Sequence, residues 1–407
     1  MRGSLLLVAS TLFALFALCA EAVPGSAAEP AASPRLEITI VSDATPVFRH
    51  ANDACDSHDI PDAPARAFRT ATGDVKVFAP HWRNRALIGP ELTDLRPDCA
   101  VVLEGAADEA PERYNDRLWI ASIWTADGRT VHALVHGEYQ GHRHPGRCAT
   151  GRYTDCWYNA ISLALSGDGG ASFTRRPGGE AIVAAPARRY DPAARRHIGF
   201  FSPSNIIHHD GAWFVLVFTE GFALPGTGAG QPRGSCLLRA QDIAEPTSWK
   251  AWDGAGFEVW LPDPYQAGFM AQSHVCTPVS PPSLRWLVTS VVRHAPSGAF
   301  IALMQGSLPS GPGEARRDAI FASASWDLLS WSPATTVMEV GRPGSYRCGD
   351  PPPVAYPSLL DPSSPDRNFG TVDDTAELFM TRFNVPRCRL DMDRDLVRRT
   401  VSINVDR

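Results

Sequence analysis

The feature that most constrains this chain is a hairpin that recurs along it. An alternating apolar run, a short turn rich in Gly, Asp or Ser, and a second alternating run occupy residues 65–69 and 75–78, with Gly73-Asp74 at the turn. The pattern returns at 118–124 and 131–135 around Asp127-Gly128, and at 204–207 and 213–218 around Asp210-Gly211. It appears again at 284–292 and 299–304 around Ser297-Gly298, and at 356–360 and 376–383 across a longer loop. A two-residue period broken by turn residues marks antiparallel strands, because successive side chains on a strand face opposite sides of the sheet. No long amphipathic helix competes, and 35 prolines and 33 glycines suit tight turns better than helices.

Each hairpin is followed by a third run of similar character, at 87–92, 161–173, 237–243, 321–331 and 400–405. A sheet this small cannot bury its own faces, so five in succession predict an all-β fold in which they cover one another, a five-bladed β-propeller. The run at 36–41 has no hairpin partner. It is expected to close the ring as the outer strand of the last blade, pairing near residues 401–405 and removing a bare edge. A pair of β-sandwiches or a β-helix is the structural alternative. The Gly/Pro-rich loops at 223–234 and 306–314 read as surface insertions.

Arg2 followed by an apolar run over 5–18 and the triplet Ala20-Glu21-Ala22 reads as a secretory signal peptide over residues 1–22. A leader rich in Pro, Ala and Ser then runs over 23–34, before a single propeller domain at 35–407. The apolar run is shorter than the roughly twenty residues of a membrane span, so no span is expected and the localisation is secreted or periplasmic. Of nine cysteines, Cys19 leaves with the signal. The remaining even number, without a C-x-x-C pair, argues for disulfides rather than zinc. Sequential pairing is expected: Cys55 with Cys99, Cys148 with Cys156, Cys236 with Cys276 and Cys348 with Cys388. A net charge of −6 without basic runs argues against nucleic acid as a partner, and the chain is expected to be a monomer.

The segment Ser166-Gly167-Asp168-Gly169-Gly170-Ala171-Ser172-Phe173 resembles the Asp-box of sialidase-like and other propellers. In such a turn the carboxylate accepts backbone N–H groups, a glycine supplies positive φ and the aromatic ring packs beneath. Ser202-Pro203-Ser204-Asn205-Ile206-Ile207 with Asp210-Gly211, and the stretch 242–249 with Trp252-Asp253-Gly254, resemble blades of five-bladed glycoside hydrolases of the arabinanase and levansucrase type. The resemblance spans most of residues 35–407 as a blade pattern. It implies a carbohydrate-active fold whose strand beginnings line an axial funnel.

That resemblance also implies a division of labour: an Asp base or nucleophile on the first blade, a second Asp that orients substrate, and a Glu acid further round. One carboxyl must protonate the leaving oxygen while another activates water or attacks carbon. Asp62, just ahead of the first inner strand, suits the first role, with a turn residue in Pro61-Asp62-Ala63-Pro64 as the alternative. Glu138 and Glu220 both follow an apolar strand beside a glycine. Glu138 is preferred as the acid because His136, Tyr139, His142 and His144 surround it in sequence, and Glu220 is kept as a binding candidate. Asp191, in Tyr190-Asp191-Pro192, is the nearest match to the second Asp.

Arg66, His136, His142 and Tyr356 are expected around the funnel. The sialidase likeness implies an anion clamp of three arginines, for which Arg66, Arg239 and Arg382 are the candidates. The histidine spacings match no familiar zinc motif, so no metal or other cofactor is expected, although a structural calcium ion is compatible with the class. Trp82, Trp119, Trp124 and Trp157 suit sugar stacking or packing between blades. Three functions follow: a glycoside hydrolase with a carboxylate pair, a glycan- or protein-binding propeller without turnover, and a sialidase-like exo-glycosidase with an arginine clamp. A carboxylate pair sharing one funnel separates the first from the second.

Overall fold

The structure is a computed structural model that describes residues 33–226, 228–308 and 317–406. The expected signal peptide and the leader up to residue 32 lie outside the described residues. The fold is all-β: among the described residues the longest helical elements, His50–Asp53 and Gly178–Ala181, have four residues each.

Mainly antiparallel units follow one another along the chain. The first contains Arg66–Arg69, Val75–Phe78, Arg83–Glu91 and Asp94–Glu104. The second contains Arg117–Thr125, Val131–Gln140 and Trp157–Ser166, with Thr174–Arg175 and Ile182–Ala184 along its outer strand. The third is built on Ile198–Phe201, Ala212–Thr219, Gly234–Ala240 and Lys250–Trp252, and the fourth on Val288–His294, Phe300–Leu308, Arg317–Ser325 and Thr335–Glu339. The fifth joins Val354–Leu360, Thr375–Phe383 and Arg394–Asp406 to the N-terminal strand Arg35–Ile40. That last pairing is antiparallel, with Leu36 opposite Val405 and Ile40 opposite Val401.

Alternation alone does not describe every strand. Trp157–Ser166 is buried at every position but Leu165, because both of its faces are covered. Five apolar cores lie between successive sheets. Phe78 and Val102 meet Ile120 and Val135, Ile161 meets Val217 and Leu238, Leu216 meets Val291 and Phe321, and Leu303 meets Leu378 and Val401. The fifth core returns to the beginning, packing Leu360, Phe379 and Leu396 of the last sheet against Ala67 and Val77 of the first.

Arg66 ties the inner strands together. Its guanidinium donates to the carbonyls of Ala121 at 2.8 Å, Thr289 at 2.8 Å, Pro203 at 3.2 Å and Ala65 at 3.3 Å, which belong to four different sheets or the segments leading into them. Its side chain is buried, and burial pushes its pKa down to about 9. Gly199 shows how closely two sheets approach: it pairs in parallel with Asn159 at a φ of +128°, and a Cβ there would sit 1.9 Å from the Asn159 carbonyl oxygen.

The four disulfides join Cys55 to Cys99, Cys148 to Cys156, Cys236 to Cys276 and Cys348 to Cys388. The turn at 166–173 is clamped by Asp168, whose Oδ1 accepts the N–H groups of Ala171 and Ser172, both at 3.0 Å. The same pattern recurs where the sequence reading did not see it. Asp327 accepts from Leu329 and Ser330 at 2.9 and 2.7 Å, and Asp127 from Arg129 and Thr130 at 2.8 and 2.7 Å.

Two segments depart from the sequence reading. The first arm of the third hairpin starts at Ile207 rather than 204, because Ser204 and Asn205 spend their polar groups on neighbouring strands. The loop at 223–234 contains a small hairpin of Phe222–Ala223 with Gly230–Gln231, while residues 306–308 finish the strand Phe300–Leu308.

Candidate active site

A cavity of about 480 Å³ opens where the beginnings of the inner strands meet. Asp62 enters it from the turn before the first sheet, held by its backbone N–H to the Ala79 carbonyl at 3.1 Å. Its carboxylate gathers donors from three other parts of the chain. Tyr356 OH lies 3.1 Å from Oδ1, Trp119 Nε1 lies 3.3 Å from Oδ2, and the Arg394 guanidinium pairs with Oδ1. His81 Nε2 is 3.8 Å from Oδ2.

Tyr356 reaches this position through its backbone. It adopts a left-handed φ of +58° where the register of Val354–Leu360 slips against Thr375–Phe383. For a non-glycine residue that conformation costs roughly 1–2 kcal/mol, and it aims the phenol at Asp62. Burial, reinforced by the Asp62 charge, pushes the phenol pKa well up, so Tyr356 stays a donor.

Glu138 comes from the end of Val131–Gln140, opposite Arg117 on one side of the ladder and Asn159 on the other. Its side chain is 14% exposed. Gln140, two residues on and therefore on the same face, donates from Nε2 to Oε2 at 2.8 Å. Burial, with smaller repulsion from Asp62 and Asp116, pushes the Glu138 carboxyl up to about 8 against the opposing Gln140 bond. His136 lies 3.9 Å from Glu138, 3.1 Å from Asn159 Nδ2 and 3.4 Å from Ser202 Oγ. Burial pushes the imidazole down to about 3, so it is neutral there. Trp119 packs against it with ring centroids 6.1 Å apart.

The cavity therefore brings Asp62, Glu138, His136 and Tyr356 together from sites up to 294 residues apart in sequence. It does not bring the other candidates with them. Asp191 pairs with Arg188 at 3.1 Å beside a separate surface hollow, Glu220 with Arg233 at 2.8 Å, and Arg382 with Asp395 at 2.6 Å. Arg66 is enclosed among backbone carbonyls behind Ala121, and Arg239 stacks over Phe257 at 4.5 Å. Arg66, Arg239 and Arg382 therefore do not converge on one clamp. His142 stands behind the lining residue Trp157, whose indole N–H donates to its Nδ1 at 2.9 Å.

Sequence reasoning missed Arg394, Arg117, Arg143, His81 and Gln140. Gln140 carried a readable signal, its two-residue spacing from Glu138. Arg394 carried none, because only the pairing of the last strand places it beside Asp62. Among the described residues, no group of three or more His, Cys, Asp or Glu side chains could hold a metal.

No protein-family model matches the sequence, and no curated protein is significantly similar to it. Solved structures that it resembles include glycoside hydrolases. The α-L-arabinanase of Cellvibrio cellulosa is 12% identical over 83% of this chain and 91% of its own, with a TM-score of 0.44. A family 117 glycoside hydrolase from Zobellia galactanivorans is 12% identical over 91% and 90%, with a TM-score of 0.48. The α-L-arabinofuranosidase of Lactobacillus brevis is 10% identical over 86% and 93%, with a TM-score of 0.47. These are likenesses of fold, and the chemistry of this chain has to be read from its own cavity.

Proposed function

We propose that this chain is a secreted glycoside hydrolase, a five-bladed β-propeller closed by its N-terminal strand, with Glu138 as general acid and Asp62 as base or nucleophile. The five cores between successive sheets, the last returning to the first, support the ring. Pairing of Arg35–Ile40 with Arg394–Asp406 supports the closure. Four disulfides suit an oxidising compartment, and no described helix is long and apolar enough to cross a membrane.

The observation that carries the catalytic reading is that Glu138, pushed up to about 8, shares a cavity with a differently furnished carboxylate, Asp62. Two carboxyls in contrasting environments are what acid–base cleavage of a glycosidic bond requires. Glu138 keeps its proton at neutral pH and gives it to the leaving oxygen. Asp62, oriented by Tyr356, Trp119 and Arg394, activates water or attacks the anomeric carbon. Trp157 and Trp119 present rings on which a sugar can stack.

The test is turnover of an aryl-glycoside and glycan panel by the full chain beside Asp62→Asn and Glu138→Gln. Each variant is expected to lose on the order of 10²–10⁴-fold in kcat. Equal activity of wild type and Asp62→Asn removes Asp62 from the mechanism. Glycan binding by a wild type that cleaves nothing on the panel replaces the hydrolase with a binding propeller.

A further inference from the structure

The charges in the cavity do not balance. Among its lining residues the carboxyls are Asp62 and Glu138, while the guanidiniums are Arg117, Arg143 and Arg394. Arg394 is taken up by Asp62, and Glu138 carries a proton at neutral pH. Arg117 and Arg143 have no carboxylate partner among the lining residues.

Arg117 lies flat over Trp82, 4.1 Å from the ring centroid, and its nearest carboxylate, Asp116 Oδ1, is 3.9 Å away. Asp116 Oδ2 accepts from the Gln140 N–H and is bonded to His144, both at 2.9 Å, while Oδ1, the atom nearest Arg117, has no hydrogen-bond partner among the described residues. Arg143 is exposed and makes no hydrogen bond or ion pair within the described residues. The two are close enough to repel: burial first and then the Arg143 charge lower the pKa of Arg117, against the smaller attraction of Asp116 and Glu104. Two like charges lining one cavity, with only Asp116 among the described residues at ion-pair distance of either and Asp116 outside the cavity lining, form a place for an anion.

The surroundings say what kind of molecule carries the anion. Arg143 stands on the lip over 141–157, which Cys148–Cys156 closes. The same lip carries Tyr153, 72% exposed and edge-on to Trp157 at 5.1 Å, so an aromatic wall for a sugar face adjoins the two cations.

We infer that Arg117 and Arg143 form a subsite for an acidic sugar, one bearing a carboxylate or sulfate substituent, next to the carboxyl pair. This rests on the hydrolase reading for its assumption that a sugar enters the cavity. A planar guanidinium accepts either anion in a bidentate manner, and Arg143, free of other partners, supplies the discrimination.

Binding separates the arms. Full-length Glu138→Gln protein is titrated calorimetrically with methyl galacturonide, methyl glucuronide, galactose 6-sulfate and the neutral methyl galactoside and methyl glucoside. At low salt at least one anionic sugar is expected to bind tenfold or more tightly than its neutral counterpart. That ratio is expected to collapse in an added Arg143→Ala change, to be partly kept by Arg143→Lys, and to shrink as salt rises. A uronate preference identifies carboxylate as the substituent, and a galactose 6-sulfate preference identifies sulfate. Equal binding of charged and neutral sugars, or a ratio untouched by Arg143→Ala, overturns the inference. Cleavage of neutral glycosides by wild type with no anionic preference overturns it while sparing the hydrolase. Anionic preference without turnover of any glycoside does the reverse.

Discussion

Burial works against the charge of both Glu138 and Arg66, and each makes a prediction. The Glu138 carboxyl goes from an ordinary 4.5 up to about 8 on folding. Between those values the folded state binds more protons than the unfolded chain, so stability falls as pH rises through the window and levels off above it. Relative to Glu138→Gln, wild type is expected to lose on the order of a few kcal/mol between pH 5 and pH 8, read from urea midpoints. Parallel curves for the two proteins would contradict a buried neutral Glu138. Turnover is expected to decline as pH passes about 8, where the acid loses its proton. His136 acts in the opposite sense: pushed down to about 3, it weakens the fold as pH drops below its ordinary 6.5. For Arg66 the expectation is purely structural. Arg66→Leu leaves the Pro203, Ala121 and Thr289 carbonyls without their donor, and each such buried group costs about 1–3 kcal/mol. Relief of the buried charge offsets part of this, and a net loss of about 3 kcal/mol is expected. An unchanged urea midpoint would show that these carbonyls find water instead.

Turns and staples fix the elements. Asp168, Asp327 and Asp127 each cap a strand end by accepting two consecutive N–H groups, which sets the angle at which the chain leaves the sheet. Asp168→Ala is expected to cost about 1 kcal/mol in a urea melt, since the carboxylate is well exposed to water, and to leave turnover of the best glycoside on the panel unchanged. A large fall in kcat would place that turn in contact with the cavity. Three of the four disulfides hold segments that line the cavity. Cys55–Cys99 lies beside His58, Cys148–Cys156 closes the lip with Tyr153, and Cys348–Cys388 lies between Pro343 and Met392. Strand periodicity was readable in most of these elements because a half-buried face leaves a two-residue rhythm. The first arm of the third hairpin was misread because Ser204 and Asn205 look like strand residues while bonding across to other sheets.

For the whole molecule, the edges decide stability. The first strand buries Leu36 and Ile38 in the core between the last two sheets and covers the edge of Arg394–Asp406. Burying each such side chain is worth about 1.5–3 kcal/mol, and the strand adds a ladder of backbone bonds. Deleting residues 33–41 is therefore expected to lower the melting temperature by about ten degrees or more and to promote association through the bare edge, read by calorimetry and light scattering. A truncated chain that melts like wild type would contradict closure by that strand. The same edge matters to the site, because Arg394 opens the strand that Arg35–Ile40 covers.

The amino-acid sequence by itself determined the all-β class, the positions of most of the hairpin strands, the presence of disulfides and two carboxyls worth watching. Those properties are local, written in side-chain alternation, turn residues and the order of cysteines. Which residues share the cavity was decided only in three dimensions. Asp191, Glu220 and Arg382 were candidates beside Glu138, yet each is held in an ion pair elsewhere, the two carboxylates with Arg188 and Arg233 and Arg382 with Asp395. Arg394 looked like nothing, yet it holds Asp62. Convergence on the axis depends on how each sheet rotates against the next, and one chain's linear pattern carries no record of that rotation.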